Sequence, residues 1–447
     1  MLEVNGRQIL IEDCRVSTKN VLKKDWLGDQ LDKYEGSAMV CLDVTLNNQT
    51  NQTIRNELEA VISSANFESD EYYSRSRQLV LSPGRITIKL VITIPNAKLW
   101  WTWDYGYPHL YQLRLNYMDE TLSLKFGIKD LEYDKKRCFW NLNGKRLFIR
   151  GKCCFNHWTA EKLCQCIEQG MNMLRVETPY ENVIMYSWCD EHGVLAWQAF
   201  PLSHYIKDEE DAIAIVSETI KKQALQITNH VSLGMWSLDL SDRQADVYFL
   251  NQVVNETLKS LAPKRWLYEE EDGSLKELTS NTDTDYLVLS PNVLNKQKVV
   301  KEQVEYLRQR KYYPVAGIYF THDEDLEKAY TPVLVSVEPS IHPYIPGDTK
   351  SFDHDKTFTA RVWVINDYQY ELPDTLLVWK IFDKTVNKDI ASNKLRLSLL
   401  PDSAEIPDHI VLPLEESMSG HECIILIKAT TKNGTILSEN TFNFFIK

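Results

Sequence analysis

The sequence predicts a multidomain protein of combined α/β and all-β class: an immunoglobulin-like β-sandwich over residues 1–130, a shortened TIM-like (β/α)8 barrel over 131–331, and a second immunoglobulin-like β-sandwich over 332–447. Three observations predict this architecture. Short runs of alternating apolar and polar residues fill both ends of the chain. Strand-like and helix-like runs alternate in the middle, which is typical of a parallel sheet. At 447 residues, the chain is also too long for a single core.

The first 130 residues contain several short predicted strands. The runs AMVCLDVTLNN, ELEAVISS, QLVLSPGRITIKLVITI and HLYQLRLNY alternate in hydrophobicity, and turn signals such as Ser82-Pro83-Gly84 separate them. Antiparallel strands at this spacing predict a β-sandwich. The same pattern returns after Pro332 in TFTARVWVIND, TLLVWKIFD, HECIILIKATT and TFNFFIK, which predicts the closing sandwich.

The central part supplies fewer candidate strands than a complete (β/α)8 barrel, which needs eight. Helix-like runs such as Asp208 to Asn229 and Asp242 to Leu261 lie between them. The shortfall predicts a trimmed barrel. The seven candidate strands are RLFIRG, NMLRVE, GVLAWQ, LGMWSLDL, KRWLY, DYLVLS and VAGIYF.

Charge and hydropathy exclude several classes of protein. The net charge is −13 without a block of Lys or Arg, so the protein's field would repel a nucleic-acid backbone and an anionic membrane surface. The sequence has no run of about 18 apolar residues and no charged leader followed by an apolar segment. It therefore predicts neither a membrane span nor secretion.

The cysteines indicate reduced thiols. Nine is an odd count, and Cys153, Cys154, Cys164 and Cys166 crowd into fourteen residues, which is a poor disulfide framework. We interpret this as a cytoplasmic protein. With His157 the cluster offers metal-capable donors, but its spacing fits no zinc pattern. No metal and no other cofactor is predicted.

Recognisable motifs run through most of the chain. They are LWWTW at 99–103, FGI at 126–128, NGK at 143–145, RG at 150–151, GMNMLR at 170–175, CDEHGVLAWQ at 189–198, NHVS at 229–232, WS at 236–237, QVEYLRQRKYYPVAGIYF at 303–320, and PVLVSVEP to VWVIND at 332–367. In this order they resemble glycoside hydrolase family 2, which includes β-galactosidases, β-mannosidases and β-glucuronidases.

The resemblance implies a retaining β-glycosidase, with an acid/base carboxylate after the fourth barrel strand and a nucleophilic carboxylate after the seventh. Such chemistry needs both groups about 5 to 5.5 Å apart. In WSLDLS the family's Asn-Glu pair is replaced by Leu240 and Ser241, and a hydroxyl does not donate protons near neutral pH. The family's Ser-Glu-Gly-like turn is also missing. Its nearest counterpart is Ser280-Asn281, where an amide would replace the nucleophile.

Two carboxylates remain as candidate catalytic residues. Asp239 precedes Ser241 by two positions, and Glu177 is the last residue of the second predicted strand. We interpret the acidic runs Glu269 to Asp272 and Asp323 to Asp325 as solvated turns. The sequence therefore predicts a catalytically degenerate barrel, or pseudoenzyme. The alternative is an active retaining exo-β-glycosidase with relocated carboxylates.

The residue types that hold a sugar are still present. Arg175 matches a family position at the end of the second strand, and Trp197 and Trp236 lie on the third and fourth. Guanidinium and indole groups suit sugar hydroxyls and ring faces. The alternative interpretation is that both tryptophans fill the barrel and that Arg175 pairs with Glu177.

The predicted partner is a β-linked glycan or a protein bound at the former active-site cleft. An active enzyme would instead hydrolyse a mannoside, galactoside, glucuronide or glucosaminide. The resemblance also implies an N-terminal jelly roll before the first sandwich, which this sequence lacks, so an oligomer or a companion chain could supply it. A structural subunit without a sugar site is the third interpretation.

Overall fold

The computed structural model describes residues 9–21, 36–134, 139–154, 159–176, 183–201, 212–239, 266–271, 274–277, 288–289, 297–309, 317–320, 327–340, 350–354 and 356–447. Their strands form six sheets, and the described α-helices all lie in the central part of the chain.

The N-terminal region is a β-sandwich, as the sequence predicted. Sheet order is β1-β2-β5 in one layer and β4-β3-β6-β7 in the other. Along β2 every second residue is buried, because successive side chains of a strand point to opposite faces. The strands are β1 Ile9–Val21, β2 Ser37–Asn48, β3 Ile54–Ser64, β4 Tyr72–Leu81, β5 Gly84–Ile94, β6 Leu110–Tyr117 and β7 Glu120–Gly127.

A small three-stranded sheet connects this sandwich to the central sheet. It consists of β8 Leu131–Asp134, β9 Phe139–Leu142 and β10 Lys145–Leu147, all antiparallel. Asn143 (φ 51°) and Gly144 (φ 80°) form the turn, and a two-residue hairpin turn favours this positive-φ pair. The NGK motif at 143–145 therefore supplies the turn and the first residue of the second strand of a β-hairpin.

The central sheet has eight described strands in the order β16-β15-β14-β13-β12-β11-β18-β17. Seven are parallel and overlap the seven predicted runs, whereas β16 returns antiparallel to β15 and was not predicted. No described ladder joins β16 to β17, so the closed barrel stays a prediction. The strands are β11 Ile149–Cys154, β12 Met173–Val176, β13 Leu195–Pro201, β14 Leu233–Asp239, β15 Trp266–Glu271, β16 Ser274–Glu277, β17 Val288–Leu289 and β18 Gly317–Phe320.

Helices cover one face of the central sheet. Buried residues of the first three helices share a core with Leu174, Val176 and Ala196, while Met173, Leu195 and Trp197 belong to the core of the N-terminal sandwich. Adjacent positions on a strand therefore enter different cores. The helices are α1 Ala160–Glu168, α2 Val183–His192, α3 Ala212–Ile227, α4 Gln297–Gln309 and α5 Glu327–Tyr330.

The C-terminal region is a second β-sandwich, again as predicted. Sheets β19-β21-β24 and β20-β26-β25-β22-β23 enclose its core. The predicted domain boundaries, which stay a prediction, fall between elements. The strands are β19 Val333–Pro339, β20 Ser351–Phe352, β21 Thr357–Asn366, β22 Leu372–Asp383, β23 Lys388–Leu399, β24 Ser403–Pro413, β25 Glu422–Thr430 and β26 Ile436–Ile446.

Within the described residues, no helix combines the length and the apolar character that crossing a bilayer requires. The six cysteines whose side chains are described are free thiols. Burial raises the pKa of Cys14 to about 12 and that of Cys423 also to about 12, so both remain protonated at neutral pH.

Candidate functional site

The carboxyl ends of β12 to β15 form one edge of the central sheet, which we call the mouth. The described strands end there at Val176, Pro201, Asp239 and Glu271. In parallel α/β sheets and barrels, ligands bind at this edge because the following loops converge on it. This edge is therefore the candidate binding site.

Arg175 and Trp197 lie side by side near the mouth. They are register partners on β12 and β13, and the guanidinium carbon of Arg175 lies 5.2 Å from the centroid of the Trp197 ring. Arg175 is 3% exposed and Trp197 is fully buried. A cation held over an indole face in this way is attracted by the ring quadrupole. The structure thus brings together two of the three predicted sugar-binding residues.

Trp236 lies on the opposite face of the sheet. A bulge opposite Ala196 and Trp197 places Gly234 and Met235 together on one face, so Trp236 pairs with Gln198. Because one extra residue reverses which face the following side chains occupy, Trp236 enters the helix-covered core. There it stacks on Phe200 at 5.7 Å, and its Nε1 has no acceptor among the described residues. The structure separates Trp236 from Arg175 and Trp197.

The predicted catalytic positions are described only in part. The backbone of Asp239 closes β14 and pairs with Pro201 and Glu270. Glu177 and Ser241, the predicted degenerate acid/base position, lie outside the described residues, as do Leu240 and Asn281. Glu269 to Glu271 continue strand β15, although the sequence predicted a solvated turn there.

At the opposite end of the sheet, the family-like motif at 229–232 makes structural contacts. The amide of Asn229 donates to Cys14 O (2.7 Å) and accepts from Val16 N (2.9 Å), so it satisfies the edge of β1. His230 Nδ1 lies 2.6 Å from Asp190 Oδ2, and Ser232 N donates to Asp190 Oδ1 (2.7 Å). This motif therefore fastens the N-terminal sandwich to the central region.

Two glycines of the family-like motifs lie where separate parts of the chain pack closely against each other. A Cβ added to Gly127 would lie 2.7 Å from Val231 Cγ2, and one added to Gly170 would lie 2.3 Å from Tyr330 O. Gly170 also has φ +89°, which disfavours any other residue. Both positions hold parts of the chain together and carry no catalytic group.

A buried charge network lies where the three regions meet. We call Asp104, Arg150, Asn172, Arg308 and Asp367 the junction network. Arg150 is fully buried, contacts Asp104, and donates to Asp367 Oδ2 at 3.0 Å. Arg308 donates to the same oxygen at 2.8 Å, and Asn172 Nδ2 donates to Asp104 Oδ2 at 3.0 Å. The network thus joins both sandwiches to strands β11 and β12.

The two buried arginines depend on these carboxylates. Burial alone would lower the pKa of Arg150, but Asp104 and Asp367 outweigh it and raise that pKa. For Arg308, burial dominates and lowers the pKa, while Asp367 opposes the shift. Sequence reasoning did not identify the network, although Asp104 follows the quoted LWWTW motif, Arg150 lies in RG, and Asp367 ends VWVIND.

No group of three or more His, Cys, Asp or Glu side chains within the described residues could hold a metal ion. Of the predicted thiol cluster, Cys164 is exposed and Cys166 is buried.

Residues 26–129 match the model of "Glycosyl hydrolases family 2". The chain is 27% identical over 217 residues to Beta-mannosidase B of Aspergillus fumigatus, a match that covers 41% of this chain and 25% of that protein. It is also 27% identical over 162 residues to the exo-beta-D-glucosaminidase of Arthroderma benhamiae, covering 32% of this chain and 18% of that protein.

Solved structures resemble almost the whole chain. The β-D-mannosidase of Dictyoglomus thermophilum superposes with a TM-score of 0.71 at 15% identity, covering 98% of this chain and 66% of that one. The exo-chitosanase of Amycolatopsis orientalis gives 0.63 at 14% identity, covering 98% and 64%. The chain is glycoside hydrolase family 2-like. This family 2 likeness establishes the fold, and the chain spans about a quarter of the first curated relative's length.

Proposed function

We propose that this family 2-like chain is catalytically degenerate and binds a β-linked glycan at the mouth. The observation that carries the proposal is the pair Arg175 and Trp197, placed beside a strand whose acid/base position is Ser241. In this proposal the eight-stranded sheet is a trimmed barrel, and the mouth is its former catalytic end.

The pair supplies the chemistry that sugar recognition uses. A guanidinium donates to hydroxyl oxygens, and an indole face packs against the C–H face of a pyranose ring. Both side chains are almost fully buried and in contact with each other. A sugar must therefore reach the pair by displacing the side chains that cover it, and the pair itself then loses little side-chain entropy on binding.

The proposed function does not include hydrolysis, because neither of the two positions at which the family has its catalytic carboxylates holds a carboxylate in this sequence. Retaining hydrolysis requires a proton donor and a nucleophile flanking the scissile bond. Ser241 replaces the first and Asn281 is the nearest counterpart of the second. Neither a hydroxyl nor an amide performs these roles at neutral pH.

A matched pair of tryptophan variants tests binding. Trp197→Phe and Trp236→Phe each shrink a buried indole, on adjacent strands but on opposite faces. On an array of β-linked mannosides, galactosides, glucuronides and glucosaminides, Trp197→Phe should weaken binding about tenfold through loss of indole contacts. Trp236→Phe should keep the wild-type affinity. Equal losses in both variants would contradict a site at Arg175 and Trp197.

One observation favours the alternative, an active exo-β-glycosidase. Asp239 and Glu270 are register partners at the carboxyl ends of β14 and β15. Neighbouring strands lie about 4.8 Å apart, close to the separation that retaining enzymes use. Turnover of a chromogenic β-glycoside that disappears in Asp239→Asn and in Glu270→Gln would establish this alternative.

The remaining parts of the proposal concern location and partners. Free thiols at the described cysteines support a cytoplasmic location. A protein partner at the mouth, or a companion chain, becomes the favoured occupant if the glycan array shows no binding.

A further inference from the structure

The junction network is physically connected to the mouth through strand β12. Asn172 immediately precedes this strand. Its side chain donates to Asp104 Oδ2 and Phe148 O, each at 3.0 Å, and accepts from Arg150 N at 2.8 Å. Its backbone N donates to Arg150 O at 2.9 Å. The start of β12 is therefore fixed on several sides, three residues before Arg175.

Asp367 is the contribution of the C-terminal sandwich to this arrangement. Its Oδ2 accepts from both Arg150 and Arg308, at 3.0 and 2.8 Å, and its backbone N donates to Pro332 O at 3.0 Å. Without that carboxylate, Asp104 would be the one carboxylate among the described residues that is bonded to either of the two buried guanidinium groups. Arg150 also donates from Nε to Gly170 O at 2.7 Å, so its displacement would disturb the segment leading into β12.

We propose that the junction network positions the mouth: docking of the C-terminal sandwich through Asp367 sets the place of β12 and thereby holds Arg175 beside Trp197. In this role Asp367 and Arg150 are positioning residues that act through the strand. The inference about ligand affinity rests on the proposed function, whereas the positioning of β12 does not.

The C-terminal sandwich offers a matched control. Asp402 accepts from Arg146 at 2.8 Å, so it is also an aspartate that binds an arginine of the central region. Arg146 belongs to the hairpin strand β10, which pairs with β9 and not with β12. Either substitution removes a charged contact between the C-terminal sandwich and the central region, but displacement of β12 should follow from Asp367→Asn alone.

Hydrogen exchange on the full chain tests the positioning. In Asp367→Asn, exchange of the Met173 to Val176 amides should accelerate about tenfold more than exchange of the amides of β2, which report the loss of global stability. In Asp402→Asn, the two strands should change equally. Asp367→Glu, which keeps the charge, should restore most of the protection. If Asp367→Asn does not fold, Arg308→Lys retains the charge but loses the guanidinium geometry and replaces it in the comparison.

Two results would overturn the proposal: acceleration of β12 that is no greater than that of β2 in Asp367→Asn, or the same excess acceleration of β12 in Asp402→Asn. Affinity for a glycan identified on the array should also fall in Asp367→Asn and not in Asp402→Asn. If the wild type binds no glycan, the proposed function fails, but the exchange rates still decide whether the network positions β12.

Discussion

The junction network and the mouth lie at different parts of the same central sheet. Residues of the family-like motifs make structural contacts at the junction network, whereas at the mouth they are candidate ligand contacts. At the junction, Arg150, Asn172 and Asp367 are buried and hydrogen-bonded to one another or to Asp104. At the mouth, Arg175 and Trp197 are in contact, and the family resemblance implies the acid/base position at Ser241, two residues after Asp239. The comparison illustrates that the residues that hold a fold together need not be those that carry its chemistry.

Removing the shared carboxylate of the junction should produce the largest effect. Asp367→Asn leaves Arg150 and Arg308 with an uncompensated buried charge, which we expect to lower the free energy of unfolding by about 3–5 kcal/mol. Asp402→Asn, which breaks a partly exposed pair, should cost roughly 0–1 kcal/mol. Urea denaturation of both variants measures the difference, and equal losses would contradict the special role of the junction.

Substitutions at two glycines separate the effect of close packing near the junction network from that of a left-handed backbone conformation. Gly170 has φ +89° and a neighbouring backbone oxygen 2.3 Å from an added Cβ, whereas Gly434 has φ +86° and open space. Gly434→Ala should cost about 1–2 kcal/mol for the left-handed conformation. Gly170→Ala should cost roughly 1–3 kcal/mol more, because the added methyl overpacks the junction. Thermal unfolding compares the two variants, and similar losses would show that the contact is unimportant.

At the mouth, catalysis should not return when one group is restored. Ser241→Glu reintroduces a carboxylate at the family's acid/base position, but retaining hydrolysis also needs the nucleophile. We expect no turnover of aryl β-glycosides by this variant, as for the wild type. Release of the chromophore by Ser241→Glu alone would mean that a nucleophile is already present.

The smallest expected effect concerns the contact of helix α4 with the C-terminal sandwich. Burial raises the pKa of Glu305, against the opposing attraction of Lys301 and the hydrogen bond from Asn440. The folded state therefore binds the Glu305 proton more tightly than the unfolded state does. The contribution of Glu305 to the free energy of unfolding falls as the pH rises above the ordinary pKa of a glutamate. The melting temperature of Glu305→Gln minus that of the wild type should increase from mildly acidic to neutral pH. A difference in melting temperature that stays constant with pH would contradict the raised pKa of Glu305.

Much of the fold could be predicted because hydrophobic periodicity reports strands directly. The seven parallel strands and both sandwiches follow from that signal. Strand β16 could not be predicted, because SLKE is short and largely polar. Its pairing with β15 depends on a hairpin that the apolar pattern does not encode.

The site was predictable only in part, for a geometric reason. Without a bulge, Trp236 would share the face of Trp197, as expected for residues on neighbouring strands. The bulge that includes Gly234 reverses this, and a single sequence gives no signal for such a shift in register. The junction network was missed for another reason: its members lie far apart in the sequence, and only the folded chain brings Asp104 and Asp367 to Arg150.

The most direct test of the account is to observe binding and hydrolysis of the same glycan in one sample. Proton NMR of the full chain with a β-mannoside or β-glucosaminide reports saturation transfer to bound sugar and the anomeric signals of any product. The account predicts saturation transfer that Trp197→Phe weakens, with no product. Product that accumulates with the wild type and is lost in Asp239→Asn or Glu270→Gln would contradict it.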